Sequence, residues 1–268
     1  MKYHNSALCY TQALSLGGQK EHAIFKKFSY NLVSFLHDFW LFLFGNRQYV
    51  VPPEEAIESR LLLRWGDGES ALLFGKSIRF QAASLSLSLE LIRILSQRAQ
   101  GYLLCFPFTV VSKTRFLREA MSTKRAWSLT ALVFRVFRGT QPTSDALMFR
   151  NDAIRDGREA LRSLLQQSTR ILIVAGDCEA DEVLRSWLGP FSSVQSIELV
   201  RAPTLNAYES IDTILRDILS RDIPDVALFS AGPGGKCVAA RLVDYWPRDT
   251  RLIDVGHLFL HLYTDGTN

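Results

Sequence analysis

Asp67 and Glu69 flank a glycine in the stretch LRWGDGES, residues 63–70. A turn is satisfied by a single Asp-Gly pair, so the second carboxylate is surplus. Two carboxylates two residues apart in a glycine-flexible turn can both reach one hard cation. Mg2+ and Mn2+ are held in this way, by one or two carboxylates together with substrate phosphates. The plain alternative is a surface turn with a solvated Glu69. A second candidate is SAGPGGK, residues 230–236. There Gly232 and Gly235 would let backbone N–H groups approach an anion, a following helix would add its N-terminal dipole, and Lys236 a point charge. The spacing is not that of a Walker A loop, and the same glycines would also serve a tight strand-to-helix turn. In DVGHLFLH, residues 254–261, Asp254 and His257 could touch a nucleotide or orient an acceptor. A zinc pair from His257 and His261 is discounted, because it lacks the intervening Glu of the metalloprotease motif. His257 alone fits a structural hydrogen-bonding role better than that of a base. Asp177, Glu179, Asp181 and Glu182 read as first-turn partners of a helix dipole rather than ligands. There is no GxSxG elbow, kinase signature set or GxGxxG opening, which weakens hydrolase, kinase and dehydrogenase readings.

Each candidate follows a short apolar run. The runs are 61–65, 102–106, 171–176, 196–200, 226–232 and 251–256, rich in Leu, Ile and Val without strict alternation. Such runs are expected of strands covered by helices on both faces of a parallel sheet, and ligands of such sheets bind beyond the carboxyl ends of the strands. The class is α/β. Helical patterns at 84–100, 152–168 and 206–220 separate the runs. In the last, Asn206 is a candidate N-cap and Glu209 stands three residues on, a capping box with Asn in place of Ser or Thr. Residues 112–150, basic and aromatic, read as an insertion over the sheet edge.

The whole chain has 268 residues, 47% hydrophobic and 22% charged, which is the composition of a folded globular protein. A net charge of +4 and a pI near 8.9 suit anionic ligands or a membrane surface but are too weak and dispersed to indicate nucleic acid. Cys9, Cys105, Cys178 and Cys237 form no CxxC pair, so a reducing cytoplasm is expected. The sequence divides into a helical extension, 1–50, closed by Pro52 and Pro53, and a main domain, 51–268. Within the extension, residues 25–45 are apolar and aromatic after Lys26 and Lys27. His37 and Asp38 leave an uninterrupted run far short of the roughly 20 residues a span needs. Two readings stand level: a helix lying at an anionic lipid surface, or one packed on the main domain or on a second subunit of a homo-oligomer.

In this order, LLLRWGDGESALLFGKSIRFQ, ILIVAGDCEADEV, VRAPTLNAYESIDTIL, DVALFSAGPGGKCVAARL and RLIDVGHLFLHLY resemble the bacterial glycosyltransferases of the GT-D fold, over about residues 55–263. The most specific elements are the Arg64-to-Glu69 turn with Gly75-Lys76-Ser77 following, Gly232-Pro233-Gly234-Gly235-Lys236, and Asp254-Val255-Gly256-His257. The resemblance implies a Rossmann-like, mostly parallel sheet and a transferase using a nucleoside diphosphate sugar, with a UDP-hexose as donor. It implies that Asp67 and Glu69 serve a Mn2+ or Mg2+ ion and the donor diphosphate, Glu69 ranking first. Asp67, Glu69 and His257 become the catalytic candidates. Arg64, Gly66, Gly68, Lys76, Asn206, Gly232, Gly235, Lys236 and Asp254 become donor-binding candidates, with Arg64 and Lys236 near phosphate and Asp254 and His257 at the site floor. Trp65 departs from an expected Phe or Tyr, and Gly234 stands where alanine is common. The implied acceptor is a glycan, a lipid-linked saccharide or a glycoprotein, in surface polysaccharide or glycoprotein synthesis, in the cytoplasm or at the inner membrane face. Two other readings compete: a metal-dependent phosphoesterase on a nucleotide or sugar phosphate, and a non-catalytic nucleotide-binding subunit.

Overall fold

Burial of apolar runs decides the centre of the molecule. The structure, a computed structural model, describes residues 50–107, 133, 137, 141–149, 155–176, 179–190 and 193–266. All six expected runs form strands: β1 (Leu61–Arg64), β2 (Tyr102–Cys105), β3 (Arg170–Ala175), β4 (Ser196–Arg201), β5 (Val226–Ser230) and β6 (Arg251–Asp254). They make one sheet in the order β2-β1-β6-β5-β3-β4, with every pair parallel. Leu61, Leu62 and Leu63 are all buried, because consecutive side chains of β1 point to opposite faces and both faces are covered.

The helices are α1 (Pro53–Ala56), α2 (Asp67–Leu73), α3 (Leu85–Ser96), α4 (Arg155–Gln167), α5 (Ala180–Leu188), α6 (Ile211–Leu219), α7 (Gly232–Leu242) and α8 (Leu258–Gly266). One core joins Leu61, Leu63 and Trp65 to Leu72 of α2, Leu87 and Leu91 of α3, Ile214 of α6 and Val238 of α7. The opposite core joins Leu62 and Ile253 to Ala56 of α1, Leu161 of α4, Leu184 of α5 and Leu258 of α8. Each fully buried Leu or Ile contributes roughly 1.5–3 kcal/mol relative to exposure. In α3 the buried Leu87, Leu91, Ile94 and Leu95 fall at helical spacing, and the Ser84 hydroxyl caps the helix by accepting from the Leu87 N–H at 3.2 Å. The helix ends at Ser96, four residues short of the expected 100.

These layers place a crevice. From β1 and β5 the chain turns to the first face, into α2 and α7. From β6, which lies between them, it turns to the second, into α8. The carboxyl end of β6 is therefore a topological switch point, where open α/β sheets bind ligands. Residues 1–49, including the expected extension and its apolar segment, and most of 112–150 lie outside the described residues, as does Asp177, one of the expected first-turn partners. Among the described residues no helix is long and apolar enough to cross a membrane.

Candidate active site

The motif after β1 is a helix start rather than a loop. Gly66 is the N-cap and α2 begins at Asp67. Glu69, at the third helical position, turns back and accepts the Gly66 N–H on Oε2 at 2.8 Å, half of a capping box. Trp65 is buried and donates from Nε1 to Ser70 Oγ at 2.9 Å, and Ser70 Oγ donates to the Gly66 carbonyl at 3.1 Å. The turn is thereby held from inside. Side chains two apart on a helix do not share a face, so Asp67 and Glu69 part company. Glu69 is 8% exposed, whereas Asp67 is solvent-exposed and accepts the Gly68 N–H on Oδ1 at 3.0 Å. The expected two-carboxylate chelate is thus replaced by one carboxylate inside and one outside.

What Glu69 meets inside is Lys236. The ammonium lies 2.6 Å from Glu69 Oε1 and 3.0 Å from Asp254 Oδ2. All three groups are buried, Lys236 at 5% and Asp254 at 2% exposure. Burial by itself would lower the Lys236 pKa, but attraction to Asp254 and then Glu69, with their hydrogen bonds, outweighs it and leaves the pKa raised. The Lys236 ammonium, expected as a point charge on phosphate, is paired in the structure with two buried carboxylates. Asp254 completes the knot, accepting the Arg64 N–H on Oδ2 at 3.1 Å and the Gly256 N–H on Oδ1 at 3.0 Å. Its two oxygens are thus occupied by the protein. Arg64 donates from Nη1 to the Val255 carbonyl at 2.8 Å, and Gly256, at φ +56°, is required because a Cβ there would come within 2.5 Å of that nitrogen. Ser230 Oγ donates to the Gly256 carbonyl. β1, β5, β6 and α7 are thus tied together at their site ends.

The glycines of the second motif answer sterics. α7 starts at Gly232, Pro233 has no N–H, and the Gly235 N–H donates to Ala231 O at 3.1 Å, so that one N–H of the expected anion cradle is used within the helix. Gly232, at φ +56°, leaves room for Phe80, and a Cβ on Gly234 would come within 2.7 Å of the Tyr208 nitrogen. Asn206 is likewise corrected. Its φ of +54° is left-handed and its side chain makes no cap; Oδ1 accepts the Ala82 N–H at 2.8 Å instead. The first turn there is a 3-10 helix, Ala207–Ser210. Asp181 and Glu182 do lie in the first turn of α5, as read. Among the described residues no group of three or more His, Cys, Asp or Glu could hold a metal ion. Cys105 and Cys237 are buried free thiols whose pKa values burial drives far up.

A family model for the glycosyltransferase GT-D fold matches residues 62–262. The chain belongs to the glycosyltransferase GT-D fold family. It is a glycosyltransferase by that membership. A structure described as a new glycosyltransferase, domain of unknown function 1792, from Streptococcus sanguinis is similar at 20% identity and a TM-score of 0.67, covering 82% of this chain and 85% of that one. Another, described as domain of unknown function 1792 with a distinct glycosyltransferase fold, is similar at 22% identity and a TM-score of 0.66, covering 82% of each chain. At these identities the likeness concerns the fold. No curated protein matches.

In this GT-D chain the outer rim is built by residues that carried no sequence signal. Ile78 and Phe80 lie in the segment after α2. The Ile78 side chain packs at Gly68, 3.3 Å from where a Cβ would stand, and the Phe80 ring meets the exposed His257 edge-on at 6.4 Å. The Asn206 N–H donates to Phe80 O at 2.9 Å and the Tyr208 N–H to Gln81 Oε1 at 3.2 Å, so residues 78–82 are pinned to the segment before α6. Lys76 is exposed at the end of α2, beyond Gly75. Nothing in the local pattern marks an isolated Phe-Gln pair as structural. The pairing with residues more than 120 positions away makes it so.

Proposed function

We propose that this glycosyltransferase moves a hexose from a nucleoside diphosphate sugar, a UDP-hexose, to a glycan acceptor with the help of Mn2+ or Mg2+. The reading extends to a lipid-linked saccharide or glycoprotein acceptor in surface polysaccharide or glycoprotein synthesis, in the cytoplasm at the inner membrane face. The observation that carries it is the division of labour at the β1 end: Asp67 open to solvent, Glu69 buried against Lys236. One exposed carboxylate with donor phosphates is a sufficient ligand set for these ions, and the Lys236 ammonium is paired with both buried carboxylates, Glu69 and Asp254. The residues present therefore fit a metal held by Asp67. When bound, such an ion would neutralise the charge developing on the departing diphosphate.

The chain's own residues supply the rest. Glu69 fixes the helix start that presents Asp67, and Lys236 and Asp254 fix Glu69. Arg64, half-buried at the end of β1, and exposed Lys76, just past the end of α2, are assigned to the donor phosphates. His257, exposed at the end of β6, and Asp67 are the candidates to take the proton of the acceptor hydroxyl. Calorimetric titration of UDP, GDP and ADP with and without Mn2+, on the wild type and on Asp67→Ala, tests the reading. Metal-dependent binding selective for UDP and weakened at least about tenfold in the variant, roughly 1.4 kcal/mol, is expected. Absence of nucleotide binding under every metal condition would sink it.

A further inference from the structure

A cavity of about 400 Å3 lies beside the 78–82 segment, lined by Gln81, Ser84, Ser86, Tyr208, Asp212 and Arg241 among others and by neither His257 nor Gly68. Its size is within the range of small-molecule sites, roughly 300–1,000 Å3. No residue expected from the sequence to bind donor or metal lines it. We propose that this cavity is the acceptor subsite, taking a neutral, hydroxyl-rich saccharide unit; the acceptor assignment rests on the transferase reading above.

Three observations carry the inference. The first is charge. Arg241 is the one cation in the lining and is committed: Nε and Nη2 each lie 2.8 Å from the Glu90 carboxylate, and Nη1 lies 3.1 Å from Asp212 Oδ1. With Glu209 and Asp212 against that single guanidinium, the lining sums to −1, which disfavours a diphosphate and leaves the donor to the Asp67 side. The second is chemistry. The hydroxyls of Ser84 and Ser86, the carboxylates of Glu209 and Asp212 and the half-buried Tyr208 ring are groups that satisfy vicinal sugar hydroxyls and cover the apolar face of a pyranose. The third is position. Phe80 faces His257 and Gly232 while its neighbour Gln81 lines the cavity, so one short segment separates donor side from cavity. That wall is braced by the Asn206 and Tyr208 hydrogen bonds and is built to hold two ligands in fixed relation.

The test uses the full 15N-labelled chain, with methyl hexopyranosides and N-acetylglucosamine as probes, read by amide chemical shifts. Saturable shifts are expected at Ala82–Ser86 and Tyr208–Asp212. They should weaken in Ser86→Ala and Asp212→Ala by about fivefold each, the worth of one hydrogen bond of about 1 kcal/mol. UDP titration of these two exposed-site variants should match the wild type. Absence of saccharide shifts in a chain that binds UDP would overturn the subsite and spare the donor reading. Shifts confined to other residues, or shifts unchanged in both variants, would overturn it as well. Saccharide shifts in the cavity without any UDP binding would support a saccharide site while removing the transferase reading, so the two failures are separable.

Discussion

Asp67 and Glu69 stand two residues apart at one helix start, and the fold uses them in opposite ways. Glu69 joins Lys236 and Asp254 in a dry cluster that ties the ends of β1, β6 and α7 together. Asp67 faces out with Gly68 and the 78–82 segment around it. The inner set holds geometry, and the outer set is the one proposed to meet ligand. Chemically similar groups therefore predict different consequences of removal, and the difference is measurable.

The largest effect is expected from breaking the inner set. Lys236→Met leaves two buried carboxylates facing each other without their counter-ion, and removing one partner of a buried ion pair costs about 3–5 kcal/mol. Urea denaturation at neutral pH measures it; a loss near zero would show that Lys236 belongs to the outer, ligand-facing set after all. The pH dependence sharpens the point. Because the folded pKa of Lys236 is raised above its ordinary 10.5, the stability it supplies is complete below pH 10.5 and is lost only as pH climbs through the folded value. Wild type should lose more stability than Lys236→Met over that alkaline range, and equal losses would contradict the assignment.

An intermediate effect separates the steric from the anion-binding view of the second motif. Gly234→Ala drives a methyl to 2.7 Å from the Tyr208 backbone nitrogen, an overpacking worth about 1–3 kcal/mol. Gly235→Ala meets nothing nearer than the Ala231 Cβ at 3.2 Å and should cost less. If both variants kept full stability but lost UDP affinity equally, the glycines would be a phosphate cradle. A comparable loss, about 1–3 kcal/mol, is expected of Ser70→Ala, which keeps the buried Trp65 ring and leaves its Nε1–H without that acceptor. Thermal unfolding reads it.

How legible this was in the sequence follows the same inner and outer division. The six strands and the α/β class were readable because their apolar runs are local signals. Strand order was not, since Arg64 and Asp254 meet across 190 residues. GDGE reads as a loop because Gly66 and Gly68 are turn residues. Only the capping bond from Gly66 to Glu69 shows the helix beginning at Asp67, which sends the two carboxylates apart. Lys236 behind three glycines has the look of a phosphate ligand; its two carboxylate partners come from distant strand ends. Asn206 with Glu209 is a capping pattern that a tertiary bond to Ala82 overrides. In each case the residue type was read correctly, and its partner, supplied by tertiary contact, set its role.

The smallest expected change in stability is at Asp67, and it is the sharpest test of the comparison. Its side chain is exposed, and its one hydrogen bond is to the next residue's N–H. An exposed change of this kind stays within about 0.5 kcal/mol. Asp67→Ala should therefore unfold at the same urea concentration as wild type while losing Mn2+-dependent UDP affinity and transfer. Glu69→Gln should do the reverse in order of magnitude, weakening the fold first by loosening Lys236 and affecting binding through the displaced helix start. If Asp67→Ala were the destabilised variant and Glu69→Gln the one that lost only metal-dependent binding, the assignment of inner brace and outer ligand would be inverted. The cation would then have to reach the place where the Lys236 ammonium now sits.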